Sequence, residues 1–169
     1  ARHFTRRWPK SAVGWNVLAA SHQAAGRPAD AADAYHRALK LEPANADARN
    51  NLGMALAQTG DPAAAAKAYR RALEQRSHFP EAHYNLGLAL AQLGRTEEAE
   101  ACHRRVLELQ PAFIDARNEL GNLAVRRGRP DEAEAEYRQA LEREPNHAAI
   151  QRNLAHALRV QGRTEEAVA

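Results

Sequence analysis

A glycine returns every 34 residues, at Gly26, Gly60, Gly94, Gly128 and Gly162. The hexapeptide GRTEEA occurs at 94–99 and again, unchanged, at 162–167, two such intervals apart. Other columns keep the same interval. Leu18, Leu52, Leu86, Leu120 and Leu154 form one, each followed by a small residue at Ala19, Gly53, Gly87, Gly121 and Ala155. Ala31, Ala65, Ala99, Ala133 and Ala167 form a second, and Tyr35, Tyr69, His103 and Tyr137 a third. Each interval closes on Pro9, Pro43, Pro111 or Pro145, with Ser77 as the one substitute. A chain with a fixed period of this length folds as a row of stacked units, each burying its apolar face against its neighbours.

Within a unit the spacing predicts two helices. Arg49, Leu52, Gly53 and Leu56 follow the i, i+3, i+4, i+7 spacing of one helix face, as do Ala65, Tyr69, Ala72 and Leu73 further on. The glycine between them is a natural helix stop because it tolerates positive φ, and Pro28, Pro62 or Pro130 then suits the first turn of the next helix. Thr96 and Thr164 take that place in the other two units and are expected to cap, with Glu97, Glu98, Glu165 and Glu166 favouring the helix dipole. GRTEEA is therefore read as a helix-to-helix turn.

The order Trp15, Leu18, Ala19, Gly26, Ala31, Tyr35, Ala38, Pro43 resembles the tetratricopeptide repeat. The resemblance implies an all-α, right-handed superhelical solenoid of antiparallel helix pairs over 1–169. Full repeats are placed at 12–45, 46–79, 80–113 and 114–147, with partial units at 1–11 and 148–169. His103 departs from the aromatic usual at its position, and Arg49, His83, Arg117 and Gln151 stand where tryptophan can, which puts local packing in question but not the fold.

Composition narrows the function. Charged residues make up 27% of the chain with a formal net charge of +3, and no apolar run approaches the roughly 18 residues that span a bilayer, so no membrane partner is expected. Cys102 is the one cysteine, which excludes an intramolecular disulfide and fits a reducing, cytoplasmic setting. Arg2, His3, Arg6, Arg7 and Lys10 form a basic start, yet the balance elsewhere is near neutral, so nucleic acid is not expected as a partner either. No phosphate loop, GxGxxG turn, GxSxG elbow or HExxH helix is present. The histidines lack ligand spacing, and Glu132, Glu134 and Glu136 fan out on a helix, which reads as a solvated face. The expectation is a protein that is not an enzyme and carries no cofactor or metal.

With the leucine column facing the core, 100° per residue assigns the opposite face of each first helix. It holds Asp47, Asn50, Asn51, Met54 and Gln58, then Glu81, Tyr84, Asn85, Leu88 and Gln92, then Asp115, Asn118, Glu119, Asn122 and Arg126. The outer repeats add Val13, Asn16, Val17 and Ala20 at one end and Arg152, Asn153, His156 and Arg159 at the other. Asn and Gln are mediocre helix formers, so an exposed helix has little reason to prefer them. An amide has both donors and an acceptor and can pair with the N–H and C=O of an extended peptide. Asn51, Asn85 and Asn153 share one column, interrupted by Val17 and Glu119. The alternative is that these asparagines brace neighbouring helices.

The wording "NNLG" and "YNLG" is similar to repeats of O-linked N-acetylglucosamine transferases and bacterial relatives, whose asparagine ladder holds substrate backbone. By that resemblance Asn51, Asn85 and Asn153 carry the contact and Glu119 leaves a gap. Lysine is absent from this face, which disfavours the carboxylate-clamping role of chaperone-binding members. Asp47, Glu81 and Asp115 against Arg126, Arg152 and Arg159 predict a ligand with basic residues near the former and an acidic group near the latter. The leading expectation is an interaction scaffold for an extended polypeptide. The alternatives are a substrate-recognition arm of a larger glycosyltransferase-like enzyme, suggested by a chain that stops within a helix pair, and a homo-oligomer formed through exposed solenoid ends.

Overall fold

The computed structural model describes residues 11–163 and 165–167. Among them are nine α-helices and no strand: α1 (Ala12–Ala24), α2 (Pro28–Leu41), α3 (Ala46–Gln58), α4 (Pro62–Gln75), α5 (Pro80–Gln92), α6 (Thr96–Leu109), α7 (Ile114–Arg126), α8 (Pro130–Arg143) and α9 (Ala148–Val160). This is the all-α succession of helical repeats that the 34-residue period demands. The basic start with Pro9, the partial unit before Ser11 and Thr164 lie outside the described residues. The helices group into two compact units, one ending at Arg95 and the other beginning at Thr96.

The turns follow their chemistry. All five periodic glycines have positive φ, from 66° at Gly26 to 85° at Gly60, and no other residue type does among those described. Pro28, Pro62 and Pro130 each occupy the first turn of their helix, where a missing N–H costs nothing. Asp61 caps α4 by accepting from the Ala64 amide at 2.9 Å. Thr96 departs from its expected role: it is the first residue of α6 itself, so it stands inside the turn that Pro62 fills elsewhere and not at the cap.

In both units, large side chains of the second helix close over small ones of the first. Tyr35, Tyr69 and Tyr137 are buried, as are Leu18, Leu52, Leu86 and Leu120. A Cβ placed on Gly53 would lie 2.5 Å from the Tyr69 ring, and one on Gly121 would lie 2.4 Å from the Tyr137 ring. The small column therefore sets how closely each hairpin shuts. His103, in the tyrosine column, is also fully buried, and burial lowers its pKa to about 4 because a charged imidazole loses its hydration there. First helices of successive hairpins touch directly, α3 with α5 in one unit and α7 with α9 in the other, which places them on the closely spaced side.

The second unit adds ionic ties. Glu100 of α6 is buried, its side chain only 7% exposed, and it accepts from Arg127 at 3.1 Å and from Arg129, both in the turn after α7. One repeat on, Glu134 of α8 meets Arg163 at 2.7 Å and Arg138 at 2.9 Å. Glu132 pairs with Arg129 and Glu136 with Arg117. The three alternating glutamates do fan out and each meets an arginine; Glu132 stays solvent-exposed, whereas Glu134 and Glu136 are drawn in because the repeat places a basic turn or helix beside them.

Candidate functional site

The asparagines of the first helices form the same contact in both units. Asn85 of α5 donates through Nδ2 to Oδ1 of Asn50 in α3 at 3.2 Å. Asn153 of α9 donates to Oδ1 of Asn118 in α7 at 2.9 Å and to that of Asn122 at 3.2 Å. The bonds to Asn50 and Asn118 join residues 35 positions apart and that to Asn122 residues 31 apart, so each clips one hairpin to the next. Asn50 lies beneath this row: it is buried, and its own amide turns to Asn51 at 3.5 Å and to the Met54 sulfur at 3.8 Å. Asn51 is half-buried and bonds with Tyr35, which partly offsets the rise that burial gives the Tyr35 pKa. Asn85 and Asn153 are half-buried too, and their Oδ1 atoms accept no hydrogen bond among the described residues. The amides thus brace neighbouring hairpins with one donor and keep an acceptor in reserve.

The remaining expected residues divide by unit. In the first, Gln58, Glu81 and Gln92 are exposed and Tyr84 is half-buried. Asp47 is exposed but committed, holding Arg76 at 2.6 Å across to the end of α4. In the second, Asn118 and Asn122 are half-buried while Arg126 and Arg152 are exposed. Glu119, which breaks the asparagine column, sits partly buried. Burial raises its pKa, Asp115 adds to the rise, and the hydrogen bond from Asn122 and the charge of Arg126 oppose it.

A cleft of about 450 Å³ opens in the second unit on this face, lined by Asn122, Arg126, Tyr137, Arg152, Asn153, His156 and Arg159, with Val125. Tyr137 forms its wall and donates to Asn122 at 2.8 Å. Burial and the nearby Glu119 push the Tyr137 pKa up to about 12, so its hydroxyl stays a donor. Arg117, Arg127, Arg129 and Arg163 of this unit all hold carboxylates. Arg126, Arg152 and Arg159 lie within salt-bridge distance of none among the described residues, so their charge is available to an anion entering the cleft. The angular reading of the sequence placed Arg126, Arg152, Asn153, His156 and Arg159 on this face but did not foresee that Tyr137, from the second helix, walls the cleft. No group of three potential metal ligands occurs among the described residues, and no described helix is long and apolar enough to cross a membrane.

Comparison with known proteins agrees with this architecture. A family model described as tetratricopeptide repeat matches residues 16–78, 58–112 and 118–169. Similar solved structures include PilW, described as a widely conserved type IV pilus biogenesis factor. It is 24% identical, with 97% of this chain and 76% of that one covered and a TM-score of 0.87. YrrB, described as a TPR protein with an unusual peptide-binding site, is 22% identical over 96% of this chain and 84% of its own, with a TM-score of 0.79. MamA from Desulfovibrio magneticus RS-1 is 18% identical over 93% and 89%, with a TM-score of 0.87. No curated protein matches the chain in sequence.

Proposed function

This chain belongs to the tetratricopeptide-repeat family, and on that premise we propose that it is a noncatalytic scaffold that holds an extended polypeptide against the amide-bearing face of its first helices. The observation that carries this reading is the recurrence of one arrangement in both units: an inter-hairpin asparagine bond that orients the amide and leaves Oδ1 to accept from a ligand N–H. An amide held by a neighbour loses less side-chain entropy on binding than a free one, so bracing and binding support each other. YrrB, a structural neighbour described as having a peptide-binding site, is consistent with a peptide ligand here. Arg126, Arg152 and Arg159, which hold no salt bridge among the described residues, favour an acidic group on a segment bound to the second unit.

The test is a peptide-array and pull-down screen run on the parent protein and on a triple variant, Asn51→Ala, Asn85→Ala and Asn153→Ala. Binding is expected to fall at least about tenfold with loss of two or three ligand hydrogen bonds, while helicity by circular dichroism is retained. Undiminished capture of the same peptides by the folded variant contradicts the reading. Charge reversal at Arg126 and Arg152 is expected to weaken binding and flatten its salt dependence.

A further inference from the structure

The two units differ at a place that the first-helix face does not include. In the second unit Arg117 of α7 is held by Glu136 of α8 at 3.2 Å and by Gln139 at 2.6 Å, which closes the groove between the second helices over an arginine only 18% exposed. Two repeats earlier the same positions read Arg49, Ala68 and Arg71. The acid is missing and the amide has become a second cation. The groove is correspondingly open, with a volume of about 360 Å³, Leu39 and Leu56 on its floor and Lys40, Arg49, Lys67 and Arg71 around it.

No carboxylate lies within salt-bridge distance of Lys40, Lys67 or Arg71 among the described residues, and Arg49 reaches only the carbonyl of Pro43 while its Nε is buried without a hydrogen bond. Internal acids are scarce here. Residues 11–95 carry nine Lys and Arg against seven Asp and Glu, whereas residues 96–169 carry eleven against fourteen. We propose that this groove is a second docking site, for an acidic peptide segment whose carboxylate takes the place beside Arg49 and Arg71 that Glu136 takes beside Arg117, with a neighbouring apolar side chain seated on Leu39 and Leu56. The second unit supplies the precedent for the geometry, and the apolar floor distinguishes the ligand from a free anion.

The test uses a short fluorescent peptide of glutamates flanking one leucine, titrated into the whole chain. The combined Arg49→Gln and Arg71→Gln variant is expected to weaken binding about tenfold. Ala68→Glu, which installs the acid of the second unit, is expected to do the same by satisfying Arg49 from within. Arg71 is exposed, so Arg71→Gln alone keeps the fold and should still lower affinity several-fold. The effect of Arg71→Gln on affinity should persist when Arg126, Arg152 and Arg159 are neutralised together, which separates the site from the first-helix face. Methyl resonances of Leu39 and Leu56 should shift on titration, and a peptide with alanine for leucine should bind more weakly. The proposal is overturned if Arg71→Gln and Ala68→Glu bind like the parent, if the shifts fall on the first-helix amides instead, or if the groove proves to be covered by a second copy, seen as concentration-dependent sedimentation that Ala68→Glu abolishes.

Discussion

The two units share one repeat frame and tie their hairpins together differently. In the first, the positions that face the next turn are Ala32 and Ala66, both buried, and neighbouring hairpins meet through small-residue packing under Tyr35 and Tyr69. In the second, the equivalents are Glu100 and Glu134, each drawn into arginines of the following turn. The backbone period tolerates either solution because the turn glycine and the leucine column already fix where the next hairpin lies. Such side positions are therefore free to set charge: Glu100, Glu134 and Glu136 hold arginines within the second unit, while alanine at 68, where the second unit has Glu136, leaves the first unit's basic groove open.

Three measurements sharpen that contrast, taken from the largest expected effect to the smallest. The first concerns pH. His103 replaces tyrosine in the second unit alone, and its pKa of about 4 lies below the ordinary value of 6.5. Between those values the unfolded chain binds a proton that the folded chain refuses. The contribution of His103 is thus fully present above about 6.5 and is lost as pH falls towards 4, by at most about 3 kcal/mol. Urea unfolding at pH 7 and pH 4.5 should show this loss, and His103→Tyr should reduce it. An equal pH dependence in parent and variant would show that the imidazole is not buried neutral.

The second prediction concerns the ionic ties. Glu100→Gln removes a buried charge that satisfies Arg127 and Arg129, and should cost about 2 kcal/mol, the arginines being able to recover water. Because the pair is shielded, added salt should change the difference little. A loss that vanishes in salt would mark an ordinary surface pair. The third compares two tyrosines: Tyr137 donates to Asn122, so Tyr137→Phe should cost about 1 kcal/mol. Tyr69 has no such bond among the described residues, and Tyr69→Phe should be close to neutral. Chemical denaturation of the pair decides it.

The fold was legible because its signals are local and repeated: glycine at positive φ, proline in the first turn, leucine and tyrosine columns at a fixed period. Thr96 misled as a cap, since a threonine at the first helical position looks in sequence like one just before it. The first-helix face was legible from angular position, but its bonding was not. Asn50 and Asn51 are adjacent letters, yet one is buried beneath the row and the other lies within it, a difference of 100° that only the packing of α3 on α5 resolves. Glu134 read as solvated because its partner, Arg163, lies 29 residues ahead; the signal was the matched pair Glu100 and Arg129 one repeat earlier.

The central claim, that oriented amides grip a ligand by its backbone, is tested most directly on the ligand. A peptide captured by the parent protein should tolerate alanine in place of most of its side chains, with affinity changing less than about threefold, yet lose at least about tenfold when single backbone nitrogens in its middle are methylated. If N-methylation is harmless and side-chain replacement abolishes binding, the asparagines serve only to brace the hairpins and the account is contradicted.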